Sequence, residues 1–210
     1  TKNSTDQFLL SRANHTGTMS MAYTTDSNSR FAMTIEDRNK LDAAALGGTK
    51  NDTIYGNTGD DTIITRAGDD IVDGGVGSDT LNYSEIDNVN NIGINANLVT
   101  GIVTGDGTDT ISNIENIIGT QDKDIIIGNE KNNTLKGENS ADTISGAAGD
   151  DYIDGGSGND TIYGIGGENT LYGGTGVDVI YTATTKTGAE RGDVVYGGLG
   201  TDTLIGSFHK

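Results

Sequence analysis

The chain has no cysteine, no proline and no tryptophan in 210 residues, and only 32% of it is hydrophobic. Without cysteine there is no disulfide framework and no thiolate metal site. Glycine is abundant, at 33 residues, but without proline it cannot signal a collagen-like repeat. No apolar run is long enough to span a membrane, and no secretory signal pattern opens the chain. Positive charge is also scarce: 13 Lys and Arg stand against 31 Asp and Glu, for a formal charge of −18. That balance excludes the basic patches that nucleic acids and anionic membranes require, and it favours cations as partners. A chain this acidic and this poor in apolar residues reads at first as disordered. A repeat held in fixed register argues against that.

Nine-residue units begin at Gly47, Gly56, Thr65 and Gly74, again at Gly119, Gly128, Gly137, Gly146, Gly155, Gly164 and Gly173, and finally at Gly188 and Gly197. Position 1 is Gly in 12 of these 13 units, Thr65 being the exception. Position 6 reads Asp52, Asp61, Asp70, Asp79, Asp124, Asn133, Asp142, Asp151, Asp160, Asn169, Asp178, Asp193 and Asp202. Position 8 is always a large aliphatic, from Ile54 and Ile63 through to Val195 and Leu204. The first six residues of a unit suit a turn, in which Gly tolerates positive φ and lets backbone carbonyls converge. The last three suit a short strand with its aliphatic side chain turned inward. Two units then make one 18-residue coil, and stacked coils make an all-β structure of two parallel sheets with a thin aliphatic ladder between them. Residues 47–205 allow roughly nine coils, on the order of 40 Å at about 4.8 Å per coil. So thin a core needs help. Calcium takes six to eight oxygen ligands from carboxylates and carbonyls, and the turns of units n and n+2 face one another to offer them.

These units resemble the repeats-in-toxin (RTX) family, whose motif GGxGxDxUx binds calcium between coils of a right-handed parallel β-roll. The resemblance covers residues 47–82 and 119–205, and it implies several calcium ions as cofactor. Carried over residue by residue, it marks 56–61, 65–70, 74–79, 146–151, 155–160, 173–178 and 197–202 as the best turns. The implied metal positions are Asp52; Gly56, Gly59 and Asp61; Gly68 and Asp70; Gly74, Gly77 and Asp79; Asp124; and Asp142. They continue with Gly146, Gly149 and Asp151; Gly155, Gly158 and Asp160; Gly164, Gly167 and Asn169; Gly173, Gly176 and Asp178; Asp193; and Gly197, Gly200 and Asp202. Asp61 with Asp79, and Asp160 with Asp178, put Asp on both sides of a site. Lys50, Asp122, Lys131, Ser140 and Arg191 replace the second glycine, and Lys131 with Asn133 is the most damaging combination, so a weak or empty site is expected there. Metal is expected in two stretches, 56–79 and 146–178, with a weaker C-terminal site.

Residues 83–118 interrupt the motif. Ile92, Ile94, Ala96 and Leu98 alternate as a strand, Thr100-Gly101 reads as a hairpin turn, and Ile111, Ile114, Ile117 and Ile118 resume the ladder. The expectation is metal-poor solenoid with an extruded hairpin; interruptions like Gly107–Thr120 recur in the family. Thr182–Thr187 reads as a polar surface loop.

Residues 1–46 lack the repeat. Thr34–Leu46 reads as a short helix with Thr34 as N-cap and Gly47 just past its end, suited to capping the first coil. Leu10–Thr18 (LSRANHTGT) and Met33–Asp42 (MTIEDRNKLD) resemble attachment segments of bacteriophage tail-fibre and baseplate proteins, which often trimerise. The resemblance implies a virion location, other virion proteins bound through 1–46, a homotrimer, and a host-surface glycan or protein as target; His15 is then a motif residue. RTX proteins exported by type I secretion carry a further signal after the roll, and only Gly206–Lys210 follow the last repeat here.

No enzyme is expected. The two His residues, His15 and His209, lie outside the roll, and the Gly-rich turns lack the GK[ST] ending of a phosphate loop. The alternatives to a virion protein are the roll of a secreted adhesin or toxin, and the non-catalytic module of a polysaccharide-active enzyme. On every reading the roll is expected to be largely unfolded without calcium, and filled at the roughly millimolar calcium outside cells.

Overall fold

The computed structural model describes residues 45–85, 92–105, 107–183 and 192–206. The two phage-like segments, His15 and His209 lie outside the described residues. So does the predicted helix, except for its last two residues, which are extended.

The first strands are β1 (Ala45–Leu46), β2 (Thr53–Tyr55), β3 (Thr62–Ile64), β4 (Ile71–Asp73) and β5 (Thr80–Asn82). The interruption holds β6 (Asn95–Asn97), β7 (Ile102–Gly105), β8 (Gly107–Ser112) and β9 (Asn116–Ile118). Then come β10 (Ile125–Ile127), β11 (Thr134–Lys136), β12 (Thr143–Ser145), β13 (Tyr152–Ser157) and β14 (Thr161–Ile165). The last are β15 (Thr170–Gly176), β16 (Val179–Ala183), β17 (Val194–Gly200) and β18 (Thr203–Gly206). Among the described residues there is no helix.

Outside the interruption, successive strands alternate between two sheets. One has eight strands, in the order β1-β3-β5-β9-β11-β13-β15-β17; the other has ten, β18-β16-β14-β12-β10-β6-β7-β8-β4-β2. Pairing is parallel and in register two units apart, as in Ile126↔Ile144 and Leu135↔Ile153. This is the parallel β-roll read from the repeat. The position-8 side chain is the one that must face inward, because strand side chains alternate faces. Ile63, Leu81, Ile126, Leu135, Ile144, Ile153, Ile162 and Leu171 are all fully buried. Only the ends of the ladder loosen: Ile54 and Val195 are partly buried, and Leu204 is 55% exposed.

The hairpin is not extruded. β7 lies in the ten-stranded sheet, antiparallel to both β6 and β8, and β8 then pairs parallel with β4. The other sheet passes straight from β5 through β9 to β11. Three strands on one face therefore stand opposite a single strand on the other. The expected loop at Thr182–Thr187 starts later than predicted, because Thr182 and Ala183 still belong to β16, paired with Gly164 and Ile165 of β14; residues 184–187 lie outside the described residues.

On the outer faces the C-terminal coils carry stacked tyrosines. Tyr163 lies on Tyr181 and Tyr172 on Tyr196, with ring centroids 4.7 and 4.6 Å apart. These side chains occupy position 9, next to the buried rung, so in-register pairing stacks them one coil above another.

Candidate metal centre

Along each edge of the roll the position-6 side chains form a ladder. In most turns the Oδ1 atom of the position-6 carboxylate accepts the backbone N–H of the position-6 residue one coil earlier. Asp61 N–H bonds to Asp79, Asp124 to Asp142, Asp142 to Asp160, and Asp160 to Asp178, at 2.8–2.9 Å. Both Asp–Asp pairs singled out from the sequence are brought together, Asp61–Asp79 on the edge of the eight-stranded sheet and Asp160–Asp178 on that of the ten-stranded sheet, where Asp142–Asp160 extends the row. Asn133, Asp151 and Asn169 lie on the same edge as Asp61 and Asp79, ending on Asp193. A second ladder, which the sequence reading missed, runs at position 5 in the reverse sense. There Asn51, Asp60, Asn132, Asp150 and Asn159 accept N–H groups from the following coil. The recurrence of Asn and Asp at position 5 was its signal.

What differs between turns is the other carboxylate oxygen. Oδ2 of Asp70, Asp79, Asp142, Asp151, Asp160 and Asp178 is buried without a hydrogen-bond partner. A buried unpaired carboxylate oxygen is costly and calls for a cation. Burial raises these groups accordingly: Asp70 is pushed up to about 7, Asp142 to about 8, and Asp151 and Asp160 to about 6. Asp79 and Asp178 are raised by the same cause.

The backbone at position 2 decides which turns have this character. Asn57, Arg66, Gly75, Glu138, Ala147, Gly156, Gly174 and Gly198 all have positive φ, from 70 to 106°. In three turns whose position 2 is not left-handed, its N–H turns back onto its own position-6 side chain. Gly48 donates to Asp52, Thr120 to Asp124 and Asn129 to Asn133. The left-handed region is steeply unfavourable for β-branched residues, so Thr120 holds its turn in the other form; Ile165 also avoids it, and the positive φ in that turn falls on Gly166 and Gly167 instead. The resemblance placed Asp52 and Asp124 among the metal positions; in the structure both oxygens of Asp124 accept N–H groups, and Oδ2 of Asp52 accepts Gly48 N–H. Turn 137–142, which departs from the motif at Ser140, has the open geometry instead, with Glu138 and Ser140 both at φ 74°. Asn169 lies in the row, but its amide nitrogen donates to Gly166 O.

The position-1 glycines leave room for converging oxygens. A side-chain carbon at Gly155 would lie 2.5 Å from both Asp160 Oδ2 and Gly173 O. Gly137 and Gly173 face the equivalent pairs, Asp142 Oδ2 with Gly155 O and Asp178 Oδ2 with Gly197 O. At position 4, Gly158 has φ 148° and a side-chain carbon there would run into Ser140 O, so the turn backbones stack too closely for a side chain. Among the described residues no three carboxylate or imidazole side chains converge. The donor set is one carboxylate per turn plus carbonyls, all hard oxygen, which is the chemistry of calcium and not of zinc or copper.

The interruption supplies two ladder residues that the repeat did not reveal. Asp109 accepts Asp70 N–H and Glu115 accepts Asp79 N–H, taking the place of position 6. Glu115 is 36 residues from Asp79, in phase with the repeat, but Asp109 is 39 from Asp70 and out of it.

Comparison with protein families gives a match to the RTX calcium-binding nonapeptide repeat in four copies, at residues 46–81, 118–153, 146–180 and 187–208. No curated protein matches the chain. The matched segments together span more than half of the sequence and leave out most of the interruption and the second insertion. The chain belongs to the RTX family of calcium-binding repeat proteins.

Proposed function

We propose that this protein is a non-enzymatic, calcium-stabilised structural and adhesive module that serves as a stiff spacer or host-surface adaptor on a bacteriophage particle. The calcium part rests on one observation above all: the buried, unpartnered Oδ2 atoms repeated along the edges of the roll. Bound calcium supplies the positive charge that lets these carboxylates remain ionised. Asp70, Asp79, Asp142, Asp151, Asp160 and Asp178, with Asp61 and Asp202 in turns of the same geometry, would hold it, together with position-1 carbonyls of the following coil. The chain's own part is to fix that oxygen array through left-handed turns and in-register strands, and to tie neighbouring coils through the Oδ1 ladder. Asp52, Asp124 and Asn133 are left out of the ligand set because the N–H of their own turn takes up a side-chain oxygen of each.

The virion part is supported by the segments at 10–18 and 33–42, which resemble phage attachment sequences. A spacer needs no catalytic group, and the buried carboxylates of the described residues are engaged in ladders. Circular dichroism during calcium titration tests the first part, since strand signal indifferent to a chelator would remove it. Mass spectrometry of purified particles tests the second, since a chain missing from particles but secreted by bacteria would move it to the adhesin reading.

A further inference from the structure

The middle of the roll differs from its flanks in how it treats buried polar groups. Between Ile94 and Asn133 the buried polar side chains are Asp109, Glu115, Asn116, Thr120, Asp124 and Asn133. None has an orphaned atom, whereas the carboxylates on both sides do. Asp109 accepts Asp70 N–H with Oδ1 and the Tyr83 hydroxyl with Oδ2, at 3.0 and 2.9 Å. Asp124 accepts Ile94 N–H with one oxygen and Thr120 N–H with the other. Asn133 takes Asn129 N–H and gives its amide to Glu115 O.

Glu115 carries the decisive contact. Its Oε2 accepts Asp79 N–H, and its Oε1 lies 2.7 Å from Lys131 Nζ. Lys131 occupies position 4 of its turn, where the open turns have Gly or Ser. The carboxylate side chain is only 10% exposed, while the lysine is 57% exposed, so the ammonium reaches in from the surface to a nearly buried anion. A hydrogen-bonded pair of this kind neutralises the carboxylate without an external ion. Lys131 is therefore more than a defect in a metal turn.

We propose that the Lys131 ammonium is a built-in counter-cation for Glu115, and that the stretch from Ile94 to Asn133 is a calcium-independent nucleus on which two calcium-dependent flanks assemble. The proposal rests on the calcium reading of the flanks. It adds that one station in the row is reserved for lysine, and that removing metal leaves a structured centre instead of a wholly unfolded chain.

Hydrogen exchange on the full chain, in chelator and in millimolar calcium chloride, tests it. In chelator the amides of Leu98, Ile111 and Ile125, which bond to Ile127, Gly101 and Ile94, should exchange at least about tenfold more slowly than those of Thr161, Thr170 and Val179 in the flank. Calcium should bring the flank to the level of the centre. Lys131→Met should remove the central protection in chelator and keep it in calcium, where the metal takes the vacated role. Lys131→Arg should keep it in both. A centre that exchanges as fast as the flanks in chelator overturns the proposal while leaving the calcium reading intact. So does a Lys131→Met variant that is unaffected in chelator, or one that calcium fails to restore. Flank protection that survives chelation strikes the calcium reading itself, and the nucleus with it.

Discussion

At the scale of single residues the roll turns on one oxygen atom. Asp160 and Asp124 occupy the same position of the repeat, yet Oδ2 of Asp160 is orphaned and Oδ2 of Asp124 is bonded to Thr120 N–H. Asp160→Asn keeps an acceptor for Asp142 N–H and removes the anionic oxygen. It should weaken calcium binding at that site by about tenfold or more, equivalent to ~1.4 kcal/mol, in isothermal titration. Asp124→Asn should leave calcium affinity nearly unchanged. Acidity acts through the same atoms. With metal removed, Asp70, Asp142, Asp151 and Asp160 have folded-state values of about 7, 8, 6 and 6, all above the ordinary carboxylate range near 4. The folded flank then binds more protons than the unfolded chain, so its stability is full at acid pH and is lost as pH rises through those values. In chelator, acidification from pH 8 to about pH 5 should raise the melting temperature; a melting temperature that falls instead would contradict the assigned burial of these groups.

At the scale of elements the repeat was legible wherever its period acted. The aliphatic at position 8 marked each rung, and the 18-residue coil fixed the pairing, because a parallel ladder in register sets each strand beside those one coil before and after it. Position 2 was less legible. Arg66, Glu138 and Ala147 take a left-handed backbone that none of them prefers, imposed by the stacking of turns and not by local propensity. Thr120 and Ile165 could have been read, since their branched side chains resist that conformation. The place of β7 within the sheet was hidden too, because alternation reveals a hairpin but not what it pairs with. Packing energies follow position in the ladder. Ile153→Ala should cost about 2–5 kcal/mol in calcium-bound protein, while Leu204→Ala, on the exposed last rung, should stay within about 0.5 kcal/mol by denaturant melts. Gly158→Ala should be severe as well, because the added carbon meets the backbone at Ser140 and not a side chain that can move away.

At the scale of the whole molecule, stability is assembled coil by coil, as in other solenoids. The −18 charge works against compaction, and under the proposed ligand set calcium would offset it where the orphaned oxygens lie. The interruption carries its own neutralisation through Lys131 and its own satisfied hydrogen bonds, so it divides the ladder without breaking the roll. It also unbalances the two sheets. From β4 to β10 there are four inter-strand steps, while β5 to β11 spans two. At about 4.8 Å per step the surplus is roughly 10 Å, comparable to the spacing between packed sheets. Two such faces cannot both run straight, so the roll must turn at its centre, with β7 on the outside of the elbow. Small-angle scattering of the calcium-bound protein should show two short arms meeting at an angle instead of one rod. Deleting β7 together with either of its neighbours would even the faces and straighten it. A roll built this way carries a direction as well as a length, so under the proposed spacer role whatever sits at its tip would be aimed off the axis of its base.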